Sequence, residues 1–359
     1  MNYRTHVRPK YVDLMHAMGM VSQFHRAEGC TLYTRDATGA EVAVLDCLGG
    51  YGAALFGHNP PALVDEARAM LDAGVPFHAQ LSVRGEAGEL AAELNAALNA
   101  EQGDRQHWIA TFSNSGAEAV EIAIKHAEYA RHHRLEETLA GLDHQLHAIE
   151  SAQAWREIEL AGLDLPPGLL PPGLDRLPLA RLCEALRRHN LETARQRPVF
   201  IALRHSFHGK LVNTVQLTHG KQYREAYGRF GLAVEFLDPT HPERLEAIAA
   251  RHAGHWLSLA VEADGLRLLR TPCTAIAGVL VEPIQGEGGI RPLSPETALA
   301  LRRFCNTLGC PLIVDEVQSG FGRSGQLLAG TAIGLRGDTL CLSKALGGSL
   351  AKIAVTLVR

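Results

Sequence analysis

Helical spacing of apolar residues dominates the chain between residues 60 and 98. Apolar side chains recur three and four residues apart over Pro60–Ala73, and Glu86–Leu98 forms a second amphipathic stretch. Ahead of both, Asp36–Gly39 has the composition of a hairpin turn and precedes the strand-like Glu41–Cys47. The pattern predicts a short β-rich beginning followed by two amphipathic helices.

From Trp108 onward, short runs that are apolar on both faces alternate with helical stretches, the first of them from about Gly116 to Ala130. The predicted strands are WIATFS (108–113), PVFIALRHS (198–206), AGVLVEPI (277–284), PLIVDEVQ (311–318), TLCLSK (339–344) and KIAVTLV (352–358). Such alternation predicts an α/β fold with a mainly parallel sheet covered by helices on both faces. Ligands of these sheets gather at the carboxyl ends of the strands. The polar residues at or near those ends are Ser113, His205, Glu282, Asp315 and Lys344.

One segment, from about Arg131 to Arg197, does not fit a compact α/β unit. It reads as a helical stretch, the Pro-rich LPPGLLPPGL and a second helix. Leucine and isoleucine follow a heptad-like spacing at Leu135, Leu139, Leu142, Leu146 and Ile149. Because this stripe covers only two heptads, a packed surface helix is favoured over a coiled coil.

Composition and charge exclude several classes of protein. Apolar residues make up 46% of the chain, charged residues 21%, and the formal net charge is -4, so neither a disordered chain nor a basic nucleic-acid footprint is expected. No run of about 18 apolar residues predicts a membrane span. The seven cysteines have scattered spacings and the MNYRTHVRPK start lacks an apolar signal core. We therefore expect a cytoplasmic protein without disulfides.

Histidine is frequent but not arranged for metal binding. His132 and His133, like His144 and His147, lie in a polar helical stretch, and the sequence contains no HExxH. Solvated histidines are the simpler interpretation, and no metal site is expected.

The segment SNSGAEAVE (113–121) has the features of a phosphate cup between a strand and a helix. The first N–H groups of a helix lack intrahelical partners and carry partial positive charge, so Ser115, Gly116 and Ala117 could hold a phosphate. Ser115 with Glu118 also fits a capping box. The two interpretations are compatible.

Asp315 and Lys344 each lie at the end of an apolar strand. A carboxylate facing a heterocyclic nitrogen would keep that nitrogen protonated, although Asp315 also suits a cap or an ion pair. A desolvated lysine becomes a Schiff-base nucleophile, although Lys344 also suits a surface position. Neither residue decides the matter alone.

In chain order, these residues form a set that resembles a known family. The landmarks are LFGHNP (55–60), SGAEAVE (115–121), SFHGK (206–210), VEPIQGEGG (281–289), VDEVQSGFGRSG (314–325) and SKALGG (343–348). They resemble the class III aminotransferases of the ornithine, acetylornithine and ω-amino acid type, which are pyridoxal-phosphate (PLP) enzymes of fold type I. The resemblance implies amino transfer from an amino acid or amine donor to a 2-oxo acid, in a homodimer.

The resemblance also implies roles for individual residues. It assigns the cofactor phosphate to Ser115, Gly116 and Ala117, the pyridine ring to Phe207, His208 and Val317, the acid side of the ring to Glu282, its nitrogen to Asp315, its phenolic oxygen to Gln318, and the Schiff base and proton transfer to Lys344. Lys210 and Glu287 are the expected substrate-binding residues. The implied organisation is an N-terminal segment, 1–60, and a cofactor-binding large domain, 61–359, with an insertion at about 131–197.

Three departures from the family pattern stand out. Position 210 is lysine where many relatives have a carboxylate-binding arginine, and lysine is a point charge without arginine's bidentate fork. The 131–197 insertion is longer than usual. The chain stops at Arg359 on a predicted strand, so we expect a fragment that lacks the family's C-terminal small domain and its Thr-bearing segment.

Three alternatives remain at this point. GFGRSG (320–325) matches a nucleotide-binding pattern, with Asp338 further on, but the glycine-broken sequence after it is a poor helix. A PLP-fold domain without activity could act as a binding module. An aminomutase, racemase or decarboxylase would share the same cofactor residues.

Overall fold

The structure is a computed structural model that describes residues 2–76, 81–153, 156–228, 230–263 and 265–359. The chain divides into two compact units. The first comprises Met1–Gly85 with Ser343–Ile353, and the second comprises Glu86–Leu342 with Ala354–Arg359. The segment 1–60 proposed from the sequence falls within the first unit, which also takes in residues beyond it.

The elements below are those of the described residues. The α-helices are α1 (Asn2–His6), α2 (Pro9–Ala17), α3 (Gly49–Gly52), α4 (Pro61–Asp72), α5 (Gly85–Gln102), α6 (Gly116–Gln153), α7 (Leu179–Ala194), α8 (Thr214–Leu217), α9 (Lys221–Arg224), α10 (Arg244–Arg251) and α11 (Pro295–Leu308). The strands are β1 (Arg26–Glu28), β2 (Thr31–Arg35), β3 (Glu41–Leu45), β4 (Ile109–Ser113), β5 (Glu157–Glu159), β6 (Arg176–Pro178), β7 (Val199–Leu203), β8 (Ala233–Leu237), β9 (Ala253–Glu262), β10 (Gly265–Thr274), β11 (Ile276–Val281), β12 (Ile284–Gln285), β13 (Arg291–Pro292), β14 (Leu312–Asp315), β15 (Thr339–Leu342) and β16 (Ala354–Val358). Short 3-10 helices cover Glu225–Tyr227, Ala329–Ile333 and Lys344–Gly347.

The first unit contains a small antiparallel sheet in the order β1-β2-β3. The predicted hairpin turn is present, because Asp36 Oδ1 accepts hydrogen bonds from Thr38 N (2.8 Å) and Ala40 N (3.0 Å). An aspartate that caps its own turn in this way fixes the register of the two strands. The predicted helix after Pro60 is also present, as α4.

The second unit is built on a seven-stranded sheet in the order β4-β16-β15-β14-β11-β7-β8. The pairs β15–β14, β14–β11, β11–β7 and β7–β8 are parallel. β16 runs antiparallel to both of its neighbours, β15 and β4. The predicted mainly parallel sheet is confirmed, and the reversed direction of its last strand is a feature that the apolar run alone did not reveal.

Helices cover both faces of this sheet. On β14, Ile313 belongs to the apolar cluster beneath α6, whereas Leu312 and Val314 point to the opposite face and are buried as well. Helix α11 packs against β11 and β14. Because the residues on both faces of a strand are buried, the strands appear as continuous apolar runs in the sequence.

Helix α6 is longer than the sequence predicted. The predicted end near Ala130 is wrong, since the helix continues without interruption to Gln153 and absorbs the first part of the 131–197 insertion. The helix packs against α7 and β9, and from its heptad-like stripe Leu146 is completely buried and Ile149 packs against the same core. The stripe is therefore the inner face of a packed helix, as expected.

The insertion forms a second apolar core together with a hairpin that the sequence analysis missed. Strands β5 and β6 pair around the Pro-rich segment, and β9 pairs with β10 along ten residues. This core, called the insertion core below, contains Leu146, Ile158, Leu169, Leu177, Leu179, Leu182, Cys183, Ala185, Leu186, Leu257 and Leu259. Residues 154 and 155 of the predicted insertion lie outside the described residues.

None of the helices in the described part of the chain is both long enough and apolar enough to cross a lipid bilayer.

Candidate active site

The predicted phosphate cup lies where β4 ends and α6 begins. Ser115 Oγ donates a hydrogen bond to Glu118 Oε2 (3.0 Å) and accepts one from Glu118 N (3.3 Å). This pair forms one half of the expected capping box, because the Glu118 carboxylate accepts from the Ser115 hydroxyl and from Asn114 N (2.9 Å) in place of Ser115 N. The N–H groups of Gly116 and Ala117 lie in the first turn of a long helix. N–H groups in that turn have no intrahelical acceptor, and the helix dipole favours an anion there.

Two glycines bring the backbone of the neighbouring loops against this helix start. A Cβ on Gly116 would lie 2.6 Å from Cγ1 of Val317, and a Cβ on Gly209 would lie 2.6 Å from that of Ala117. Gly209 also has a φ of +113°, which disfavours any residue with a side chain. The phosphate cup is therefore packed against both Val317 and the SFHGK loop.

Asp315 is a buried acid at the carboxyl end of β14. Its Oδ2 lies 2.8 Å from Nδ1 of His208, and its Oδ1 accepts a hydrogen bond from Val317 N at 3.0 Å. Because an ionised carboxylate only accepts, His208 carries a proton on Nδ1. The His208 side chain is completely buried, so this pair is a fixed feature of the sheet end and not a surface contact.

The charges around His208 favour its protonated form. Burial acts to lower the pKa of His208, but the hydrogen bond and charge of Asp315, with the charge of Glu282, raise it overall. Nε2 of His208 is buried and lacks a hydrogen-bond partner within the described part of the chain. A protonated imidazole at this position forms an ion pair with Asp315.

Glu282 supports the loop that carries Phe207. Its Oε2 accepts a hydrogen bond from Phe207 N at 3.0 Å. Burial raises the pKa of Glu282 to about 7. The charge of His208 opposes this rise, and the charge of Asp315 adds a smaller contribution to it. Perturbed acids of this kind cluster at functional sites, although structural networks produce them as well.

The aromatic residues of the site include one that the sequence analysis missed. Phe207 packs edge-to-face against Tyr223, with ring centroids 5.9 Å apart. Lys210 is exposed, and its Nζ lies 4.6 Å from the Tyr223 ring centroid and 5.8 Å from that of Phe207. Nothing in the sequence around Tyr223 marks it, since only the folded chain brings it to the SFHGK loop.

Gln318 and the QGEGG segment meet at the same edge of the sheet. A Cβ on Gly286 would overlap Gln318 Oε1, at 1.3 Å, so Gly286 allows the Gln318 side chain to cross this loop. The next residue, Glu287, is exposed. Val317 and Gln318 thus lie with the other candidates, and Glu287 lies at the solvent side of the loop.

Lys344 belongs to the first unit, in the segment Ser343–Ile353 that leaves the sheet after β15. It follows the end of β15 by two residues, and Cys341 of that strand pairs with Asp315. Its backbone is left-handed, with a φ of 49°. Such a conformation is uncommon for a long side chain and is found preferentially at functional positions.

The nucleotide-binding alternative has no support in the described segment 320–338. After GFGRSG the chain forms turns and the 3-10 helix Ala329–Ile333 in place of an α-helix. The N–H groups of Ala329 and Gly330 donate to the buried carboxylate of Glu316, which is therefore a structural anchor that sequence reasoning did not identify. No group of three or more metal-ligating side chains occurs among the described residues.

Comparisons with known proteins agree with this geometry. The model of the aminotransferase class-III family matches residues 15–359. The chain is 27% identical to aminotransferase PigE of Serratia sp. (strain ATCC 39006) over 99% of its own length and 31% of that relative. It is also 27% identical to a diaminobutyrate–2-oxoglutarate aminotransferase of Rhizobium meliloti (strain 1021), over 93% of this chain and 56% of the relative.

A solved structure shows the same fold. The PLP-bound amine transaminase from an uncultivated Pseudomonas species superposes with a TM-score of 0.61 at 21% identity, over 94% of this chain and 62% of that one. The chain thus spans between about a third and about two thirds of the length of these relatives.

Proposed function

Because the chain belongs to the class III aminotransferase family, we propose that it transfers an amino group from an amino acid or amine donor to a 2-oxo acid, with PLP as cofactor. The observation that carries the proposal is the buried Asp315–His208 pair at the carboxyl end of the sheet, next to a helix N-terminus. A protonated heterocycle with a phosphate arm needs both features.

The residues present fit this cofactor. The backbone of Gly116 lies close to Val317, and the backbone of Gly209 lies close to Ala117, because neither glycine has room for a Cβ. Gly116 and Ala117 would hold the phosphate with backbone donors at the start of α6, and the Ser115 hydroxyl, which donates to Glu118 in this structure, would join them by turning towards the phosphate. Phe207 and Val317 would pack on the ring, and Gln318 would reach its phenolic oxygen.

Asp315 would hold a proton on the ring nitrogen, and His208 would keep the carboxylate oriented. Glu282 fixes the backbone of Phe207 and adds negative charge beside His208. When bound, PLP supplies an electron sink for the electron pair left at the carbon that loses its proton. This arrangement assigns one chemical task to each of the three buried groups.

Lys344 would attach the cofactor covalently through its amine and then move a proton between the substrate carbon and C4′ of the cofactor. Donor and acceptor would react in turn. The proposed substrate contacts are Lys210 of the SFHGK loop and Glu287 of the QGEGG loop, which are both exposed. We assign these roles to the proposed large domain, 61–359.

The test is amino transfer by the PLP-loaded protein from a panel of donors to pyruvate or 2-oxoglutarate. We expect a new amino acid product, and covalent attachment of the cofactor after borohydride reduction. Lys344→Ala should lose both, while Lys352→Ala, which removes an exposed lysine of the same segment, should keep both. A wild-type protein without product and without attachment would refute the proposal.

We further infer a homodimer in the cytoplasm. The family resemblance supports the dimer, and the free thiol state of all seven cysteines supports a reducing compartment. Sedimentation velocity measures the first and cell fractionation the second.

A further inference from the structure

Lys210, Phe207 and Tyr223 form a compact group that we call the aromatic clamp. The Lys210 ammonium lies 4.6 Å from the centroid of the Tyr223 ring and 5.8 Å from that of Phe207. The two rings meet edge-to-face, at 78°. A cation at these distances is attracted to the negative face of an aromatic ring. The clamp therefore holds the end of an otherwise flexible side chain.

The backbone beneath the clamp is fixed independently of it. Phe207 N donates to Glu282, His208 Nδ1 donates to Asp315, and Gly209 packs against Ala117. These contacts set where the Lys210 backbone lies. They do not set where its ammonium lies, because four rotatable bonds separate the two. The contact with Tyr223 fixes the position of the ammonium.

Among the residues that the structure describes, the ammonium has no carboxylate partner of its own. None of the ion pairs within 4.0 Å among the described residues includes Lys210. An ammonium has three N–H donors, and contact with a ring face leaves donors available to an anion. An exposed cation that is held in place without a counter-charge is preorganised to bind one.

We propose that Tyr223 is a positioning residue for substrate recognition, which holds Lys210 where it binds the carboxylate of the donor or acceptor. The inference rests on the proposed function, since it takes the SFHGK loop as part of the active site. It makes selection for carboxylate-bearing substrates depend on a ring that contacts neither the substrate nor the cofactor.

The first test compares two donors that differ only in a carboxylate, 5-aminopentanoate and pentylamine. For Tyr223→Leu we expect the KM for 5-aminopentanoate to rise about 2- to 5-fold, the loss that an exposed cation–π contact implies. The kcat and the KM for pentylamine should stay within about twofold of wild type. Tyr223→Phe keeps the ring and should restore the wild-type KM.

Two further variants separate positioning from simple structural support. Tyr227→Leu removes an exposed tyrosine from the same segment and should leave both KM values unchanged. Lys210→Met should raise the KM for 5-aminopentanoate, and adding Tyr223→Leu to it should have little further effect. Equal losses with both donors, a loss in Tyr223→Phe, or additive effects in the double variant would overturn the proposal.

A binding measurement tests the clamp without turnover. Glutarate, which has carboxylates but no amine, should bind the PLP-loaded wild type and Tyr223→Phe with equal Kd, and Tyr223→Leu about 2- to 5-fold more weakly. Weaker PLP binding in Tyr223→Leu, with unchanged glutarate affinity, would show that Tyr223 only supports Phe207. If glutarate discriminates as expected while wild type transfers no amino group, the clamp stands and the proposed function fails.

Discussion

Two consecutive buried carboxyl groups, Asp315 and Glu316, face different partners at the end of β14. Asp315 contacts His208, and Glu316 accepts hydrogen bonds from Ser319, Ala329 and Gly330. Successive residues point to opposite sides of a strand, so one end of one strand supplies both a chemical group and a structural anchor. Single substitutions therefore separate the two tasks.

For Asp315→Asn we expect amino transfer to fall by roughly 100-fold or more, since a neutral amide no longer stabilises charge on the ring nitrogen. PLP should still bind, because the α6 cup is untouched. The measurement is the single-turnover rate together with the PLP Kd. Asp238→Asn, a change in a carboxylate that follows the end of β8, serves as the control and should react at the wild-type rate. A wild-type rate in Asp315→Asn would make Asp315 a structural residue.

Glu316 makes stability depend on pH. Burial raises the pKa of Glu316 in the folded chain from 4.5 to about 7. Its contribution is therefore complete below about pH 4.5 and is lost as the pH rises through about 7. The loss amounts to about 3 kcal/mol at most, from 1.36 kcal/mol per pKa unit.

Urea unfolding of wild type and Glu316→Gln at pH 5 and pH 8 checks this expectation. The glutamine variant should lose less stability between the two pH values, because it has no proton to release. Identical pH dependence in both proteins would show that Glu316 is not the group responsible.

Helix α6 combines two functions along its length. Its first turn forms the proposed phosphate cup against Val317, and its later turns carry Leu146 into the insertion core. Two glycines in this one helix are in contrasting surroundings. Gly116 is packed against Val317, and Gly141 has open space around the position of a Cβ.

Gly141→Ala should stabilise the protein by about 0.5–1 kcal/mol, which is the helix preference of alanine over glycine. Gly116→Ala should destabilise it by roughly 1 kcal/mol, because overpacking of about 1–3 kcal/mol exceeds that preference. PLP affinity should also fall in Gly116→Ala and not in Gly141→Ala. Thermal unfolding and PLP titration measure both effects.

Adding Val317→Ala to Gly116→Ala provides the structural control, since it removes both Cγ atoms from the collision. Recovery of stability in the double variant would support the steric cause, and no recovery would contradict it.

At the scale of the second unit, two apolar cores share helix α6. The sheet core includes Phe200, Leu280 and Ile313, and the insertion core includes Leu182 and Leu257. The candidate cofactor residues of this unit follow strands of the seven-stranded sheet, which carries the sheet core. The insertion core therefore adds stability without lining the proposed cofactor cup.

Leu182→Ala and Leu280→Ala compare the two cores, since both leucines are completely buried. Each substitution should lower the free energy of unfolding by about 2–5 kcal/mol. Below the unfolding transition, Leu182→Ala should bind PLP with wild-type affinity, while Leu280→Ala, two residues before Glu282, should bind it more weakly. Equal weakening in both variants would show that the insertion core supports the site directly.

The sequence by itself determined most of the local elements and proposed a chemistry for the site. Runs apolar on both faces identified six of the seven strands of the large sheet, all except β8, and the motif order named Ser115, Asp315 and Lys344 as candidates. The contact of Ser115 with Glu118 was predictable from the capping-box pattern because its partners are three residues apart. These features depend on neighbours along the chain, and such neighbours are visible in a sequence.

Only the tertiary structure decided the contacts between distant segments. His208 and Asp315 are 107 residues apart in the chain, and Tyr223 meets the SFHGK loop only after folding. The antiparallel direction of β16 likewise left no local signal. An apolar run reads the same in both directions, and strand direction is chosen by the chain connections and pairing partners that the whole fold provides.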